Sequence, residues 1–204
     1  GVTVTGLPTG VTATTSGNTV IITGTPSATT GSPFSYSIVT TGGSCGTLSL
    51  NGTITVNPNT TLVLNSASST TNQSVCMNTS ITPITYSFGN GATGVTVTGL
   101  PTGVNFTTSG NTITISGTPS TTTGSPFSYT ITTTGGTCGT VTLNGTITVN
   151  SNPTLVLSSA VATTSQSVCI NTPINTISYT FGGSATGVTV TGLPTGVTAT
   201  TSGN

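Results

Sequence analysis

Apolar side chains alternate with Thr and Ser in short runs along the chain, and Gly, Pro and Asn break the runs apart. An alternation of period two places successive side chains on opposite faces of an extended segment, so each run reads as a half-buried β-strand. In the stretch that begins at Asn59 the pattern predicts strands at 61–64, 74–77, 84–88, 95–98, 104–107, 112–116, 127–133 and 140–149. Phe127, Tyr129 and Ile131 share one face of the seventh; Val141, Leu143, Ile147 and Val149 recur at spacing two in the eighth, where Asn144-Gly145 reads as a bulge. Tyr86 and Tyr129, with Tyr179 and Tyr36 in corresponding positions, alternate with apolar neighbours and read as core aromatics rather than sugar-stacking platforms. Gly99-Leu-Pro-Thr-Gly103 and Gly117-Thr-Pro119 place Gly and Pro where a chain reverses. No stretch carries a helical period of useful length, so the chain is expected to be all-β.

The strands recur as a set. Gly1–Gly10 returns unchanged at Gly94–Gly103 and at Gly187–Gly196, a period of 93 residues. Coils of solenoid proteins repeat every ~20–45 residues, whereas one immunoglobulin-type sandwich takes about 100. The expected architecture is therefore a tandem array of immunoglobulin-like β-sandwich domains. Asn57-Pro58 and Asn150-Ser-Asn-Pro153 each follow a long strand and precede a new apolar run, and so read as linkers. These boundaries give one complete repeat at 59–151, closing strands of a repeat at 1–58 and opening strands at 152–204. The chain reads as an excerpt of a longer polypeptide. The alternative is that partial ends complete one another between subunits, by strand exchange.

Composition then removes most chemistry. The chain of 204 residues has no Lys, Arg, Asp, Glu or His. General acid–base catalysis needs a group that titrates near neutrality, and no base is available to activate the many hydroxyls as nucleophiles. An enzyme is not expected, and no catalytic or cofactor-binding residue is assigned. Calcium sites need carboxylates, zinc would have only cysteines without a CxxC pair, and phosphate binding needs Lys or Arg. No cofactor, no metal and no nucleic-acid partner are therefore expected. A lysine–asparagine isopeptide crosslink fails for want of lysine. No apolar run approaches the ~20 residues of a membrane-spanning helix, so membrane insertion is not expected. Zero net charge favours association, and strand edges carry none of the charges that normally block edge-to-edge pairing. The expected partners are other copies of the chain.

Each repeat owns one early and one late cysteine: Cys76 and Cys169 are one period apart, as are Cys45 and Cys138. The early one lies in the short second strand, the late one in the turn entering the last strand. In an immunoglobulin-like sandwich those two strands run parallel, which suggests a disulfide Cys76–Cys138, with Cys45 and Cys169 finding partners outside the segment. Two other readings stay open: four buried thiols, or Cys45–Cys76 and Cys138–Cys169 bridges bracing the domain junctions. Any disulfide implies an oxidising compartment. Asn51, Asn59, Asn72, Asn78, Asn105 and Asn144 open Asn-x-Ser/Thr triplets, which a chain this rich in Asn, Ser and Thr produces by chance. The Thr96/Thr98 and Thr112/Thr114 rows resemble flat ice-binding faces, but Thr is also simply a good exposed strand former.

The run Val-Thr-Gly-Leu-Pro-Thr-Gly-Val from Val97, then Thr-Ile-Ser-Gly-Thr-Pro from Thr114, then Phe-Ser-Tyr-Thr-Ile-Thr-Thr-Thr-Gly-Gly-Thr-Cys-Gly from Phe127, resembles the immunoglobulin-like tandem repeats of large bacterial surface proteins. The resemblance extends to those of Bacteroidota, the gliding and filamentous relatives of Flavobacterium. The resemblance implies a secreted or cell-surface giant adhesin or filament, of a kind often exported by a type IX secretion system. Complete loss of charge departs from the usual pattern of such repeats. Repetition and an uncharged surface point to an extracellular filament or stalk. The alternative is a module that binds glycans or another surface, for which varied loops between repeats would be expected.

Overall fold

The computed structural model describes residues 1–202. Its strands, in chain order, are β1 Val2–Thr5, β2 Val11–Ser16, β3 Thr19–Gly24, β4 Phe34–Thr40, β5 Ser49–Ile54, β6 Thr61–Leu64, β7 Asn72–Cys76, β8 Ile84–Gly89, β9 Gly94–Thr98, β10 Val104–Ser109, β11 Thr112–Gly117, β12 Phe127–Thr134, β13 Thr142–Asn150, β14 Thr154–Leu157 and β15 Tyr179–Gly182. Residues 1–63, 88–96 and 132–142 make one compact unit, and 64–87, 97–131 and 143–202 make another. The dividing line passes through β6, β8, β9, β12 and β13.

Strands β6 to β13 form two four-stranded sheets, in the orders β10-β11-β8-β6 and β7-β13-β12-β9. Lettered from β6 in the immunoglobulin scheme, the first is the D-E-B-A sheet. The second is G-F-C, with the short switch strand β7 running parallel beside the last strand, β13. This is an immunoglobulin-like β-sandwich. Strands β1-β4-β5 repeat the order β9-β12-β13, and the hairpin β2-β3 repeats β10-β11. The pair β14-β15 repeats β6-β8.

Alternation along each strand builds the core. Ile84, Tyr86 and Phe88 of β8, Ile113 and Ile115 of β11, Tyr129 and Ile131 of β12, and Ile147 and Val149 of β13 are all buried. Each such aliphatic side chain contributes about 1.5–3 kcal/mol on leaving water. Tyr86 and Tyr129 meet across the gap between the sheets, their hydroxyls 3.1 Å apart. Among the described residues no buried side-chain N or O atom lacks a hydrogen-bond partner.

The predicted strands all form, with ends shifted by one or two residues. Three details differ from the sequence reading. Two 3₁₀ turns, Ser68–Thr71 and Val161–Thr164, occur where no helix was expected. The first is held by local bonds, Thr70 Oγ1 donating to the Ala67 carbonyl and Thr71 Oγ1 to that of Ser68. Second, the glycine of the Asn-Gly pair is not a bulge in the first repeat: Gly52, the counterpart of Gly145, sits in unbroken register opposite Tyr36. A Cβ at Gly145 would run into the Tyr129 ring and the Thr71 carbonyl, and one at Gly52 into the Tyr36 ring. The glycine is there to let a tyrosine lie across its own sheet. Third, the 187–196 copy of the repeated decapeptide forms no strand.

Turns follow the Gly–Pro signals. Gly99 has φ of 81°, the left-handed region, and a Cβ there would collide with the Ser128 carbonyl. Pro101 and Pro119 are fully buried beneath the turns that they shape. No helix among the described residues is long and apolar enough to cross a membrane.

Candidate assembly surfaces and cysteine positions

Burial disposes of Tyr86 and Tyr129 as chemical or sugar-binding groups. Tyr86 is 1% and Tyr129 0% exposed. Burial raises the pKa of both phenols above its ordinary value. For Tyr129, the hydrogen bond with Tyr86 and repulsion between the two phenolates raise it further. Both remain neutral hydrogen-bonding partners at any physiological pH. Of their counterparts, Tyr36 is half-buried and Tyr179 is 53% exposed.

What the β6–β13 sandwich presents to solvent is hydroxyl-covered strand. Strands β10 and β6 form the edges of one sheet, β7 and β9 those of the other. Thr96 and Thr98 on β9 and Thr112 on β11 are exposed; Thr114 is half-buried. On β10 every residue after Val104 is exposed, Phe106 among them. A strand edge is a row of unpaired backbone donors and acceptors, and natural proteins guard it with charge, proline or a bulge. Neither β9 nor β10 contains a charged residue or a proline.

A shallow cleft of about 500 Å³ lies in the first unit, among Pro26, Thr29, Asn57, Asn59 and Asn90. Its lining offers hydroxyls and amides but no aromatic ring.

The four cysteines are free and exposed. Cys76 ends β7, in parallel register with Asn150, the last residue of β13. Cys138 lies four residues before β13 begins. At ~3.3 Å per residue, β13 alone extends about 26 Å, and a disulfide needs Cα atoms within about 7 Å. The early and late cysteines of one repeat are thus not brought together: the switch strand is parallel to the last strand as expected, but it pairs with that strand's far end. Nor are the thiols buried, as one alternative had it. Cys45 occupies the corresponding turn before β5, its sulfur 3.9 Å from Ser44 Oγ. Cys169 lies in the segment after the second 3₁₀ turn.

The hairpin that carries Cys138 is firmly placed by residues the sequence reading passed over. Thr133 Oγ1 accepts the Val141 N–H at 2.8 Å, tying the base of the hairpin. Near its tip Thr60 Oγ1 donates to the Gly139 carbonyl at 2.9 Å. Thr40 repeats the first arrangement, accepting the Leu48 N–H at 2.8 Å. The signal was present: Thr133 continues the core-facing series Phe127, Tyr129, Ile131, where a hydroxyl needs a reason to be.

No protein-family model matches the chain, and no curated protein matches it. Among solved structures it is similar to the titin M3 domain, at 13% identity over 47% of this chain and 98% of that one, with a TM-score of 0.34. It is also similar to the titin immunoglobulin tandem A164-A165, at 8% identity over 72% and 76% of the two chains, TM-score 0.36. The tandem immunoglobulin repeats of Dlar share 12% identity over 74% and 83%, TM-score 0.33.

Proposed function

We propose that the chain is a structural repeat segment of an extracellular bacterial filament or adhesin stalk, assembling with other copies of itself through uncharged Thr- and Ser-rich β surfaces. The observation that carries this reading is the pair of unguarded edges, β9 and β10, on a sandwich with no charged side chain anywhere. Like-charge repulsion, which keeps ordinary β-proteins apart, has nothing to act through here. Association of this kind is insensitive to salt, because no ion pairs form or break. Repetition of one domain supplies length, and the absence of carboxylates and histidines makes the fold indifferent to pH across the neutral range. A glycan-binding role has less support: Tyr86 and Tyr129 are buried, Phe106 stands alone on an exposed strand, and the open cleft has no aromatic ring.

Sedimentation velocity on the chain with all four cysteines changed to serine tests the proposal. Mass should rise with protein concentration, equally at low and high salt. A species that stays monomeric at millimolar concentration in every salt would overturn it.

A further inference from the structure

Both cysteines of a repeat are tied to the same sequence position, one period apart. Cys76 stands in register with Asn150, and the next amide, Met77 N–H, donates to the Asn150 carbonyl at 2.8 Å. Cys138 donates its thiol to the carbonyl of Asn57 at 3.5 Å. Asn57 and Asn150 are equivalent residues of successive repeats, 57 and 150 being separated by the 93-residue period. In an array, then, one carbonyl meets two donors: the amide beside the early cysteine of its own repeat, and the thiol of the late cysteine of the repeat that follows. A carbonyl oxygen has two lone pairs and can serve both. Sulfur and amide are consequently no further apart than those two hydrogen bonds laid end to end. The early cysteine is the residue bonded to that amide.

We propose that the early cysteine of each repeat forms a disulfide with the late cysteine of the next repeat, so that every junction in the array is clamped by a covalent bond. Cys76 pairs with the cysteine one period beyond Cys138, and Cys138 with the one a period before Cys76. The four cysteines of this chain are therefore not partners of one another, neither as Cys76–Cys138 nor as Cys45–Cys76. The bond forms by thiol–disulfide exchange. Two thiols lose two protons and two electrons as the S–S bond is made, and the electrons reduce the disulfide of an oxidoreductase or a small-molecule disulfide to two thiols. Thr60 and Thr133 hold the Cys138 hairpin in place beforehand. The proposal deepens the fibre reading and rests on it only for the oxidising compartment.

The test is a chain lengthened by a second copy of residues 59–151 inserted after position 151, oxidised with glutathione disulfide at low concentration. Two variants are compared, with every other cysteine changed to serine. One keeps the early cysteine of the first copy and the late cysteine of the second; the other keeps both cysteines of a single copy. All cysteine positions are exposed, so serine should leave thermal unfolding unchanged. The first variant is expected to lose both free thiols and yield the crosslinked peptide, and the second to keep both. A crosslink in the second variant, or free thiols in the first, overturns the clamp. Because the self-association test uses a cysteine-free chain, failure of the clamp and failure of the filament reading are distinguishable.

Discussion

Gly94–Gly103 and Gly187–Gly196 carry the same ten residues, yet only the first forms a strand, β9. The difference is a neighbour. In its sheet β9 is bonded to β12, and among the described residues nothing after β15 forms a strand to play that part. The same contrast runs through the tyrosines: Tyr86 is enclosed, and its counterpart Tyr179 stands largely in water. It also shortens β5, which stops at Ile54, while β13 continues to Asn150 because Thr148, Val149 and Asn150 pair with β7. Strand propensity in this chain is permissive, and pairing decides.

That contrast can be sharpened by changing counterpart residues. Tyr129→Ala should cost the β6–β13 sandwich about 3–5 kcal/mol, in the range of other large-to-small aromatic changes. Tyr36→Ala, at a half-buried site, should cost well under half as much, and urea titration of the two variants measures both. If the losses were equal, burial within the β6–β13 sandwich would not be what separates the two regions. Gly145→Ala comes next, at about 1–3 kcal/mol, because the Tyr129 ring must give way against the sheet. Adding Tyr129→Leu to Gly145→Ala should recover part of that loss.

Tyr86→Phe leaves the Tyr129 hydroxyl buried without its partner, at a cost of about 1–2 kcal/mol. The double change to Phe at both positions should be milder than the sum of the singles, a coupling that a double-mutant cycle reads directly. Thr133→Val removes the side-chain acceptor for the Val141 amide and should cost about 1 kcal/mol; at the exposed Thr40 the same change should cost less.

The smallest effect is pH. Burial raises the folded-state pKa of Tyr86 and Tyr129 above the unfolded value near 10. Their contribution is fully present below about pH 10 and declines above it, as the unfolded chain ionises first. With no Asp, Glu or His, the denaturation midpoint should not move between about pH 4 and 8. A midpoint that fell on acidification would show that a titrating group had been missed.

Much of this was legible in the chain. Period-two alternation located every strand from β6 to β13, and Gly–Pro signals located the turns between them, because both are local rules of backbone and burial. The 3₁₀ turn at Ser68–Thr71 was not legible: hydroxyls folding back onto nearby carbonyls leave no hydrophobic period to detect. Nor was the reason for Gly145 legible: it is the ring of Tyr129, which arrives from the neighbouring strand. Cys76 was assigned to the correct strand but to the wrong end of β13, since alternation fixes which face a residue occupies and not how far a short strand slides along its partner.

The parallel pairing of β7 with β13 has a mechanical meaning. Tension along the polypeptide draws the start of β7 one way and the end of β13 the other. In a parallel pair those pulls slide the strands past each other along their length. The five register pairs from Asn72–Thr146 to Cys76–Asn150 are then loaded together rather than peeled off singly. Once a pull reaches β7, a pair in this geometry ruptures as a ladder rather than bond by bond, so its resistance grows with the number of register pairs.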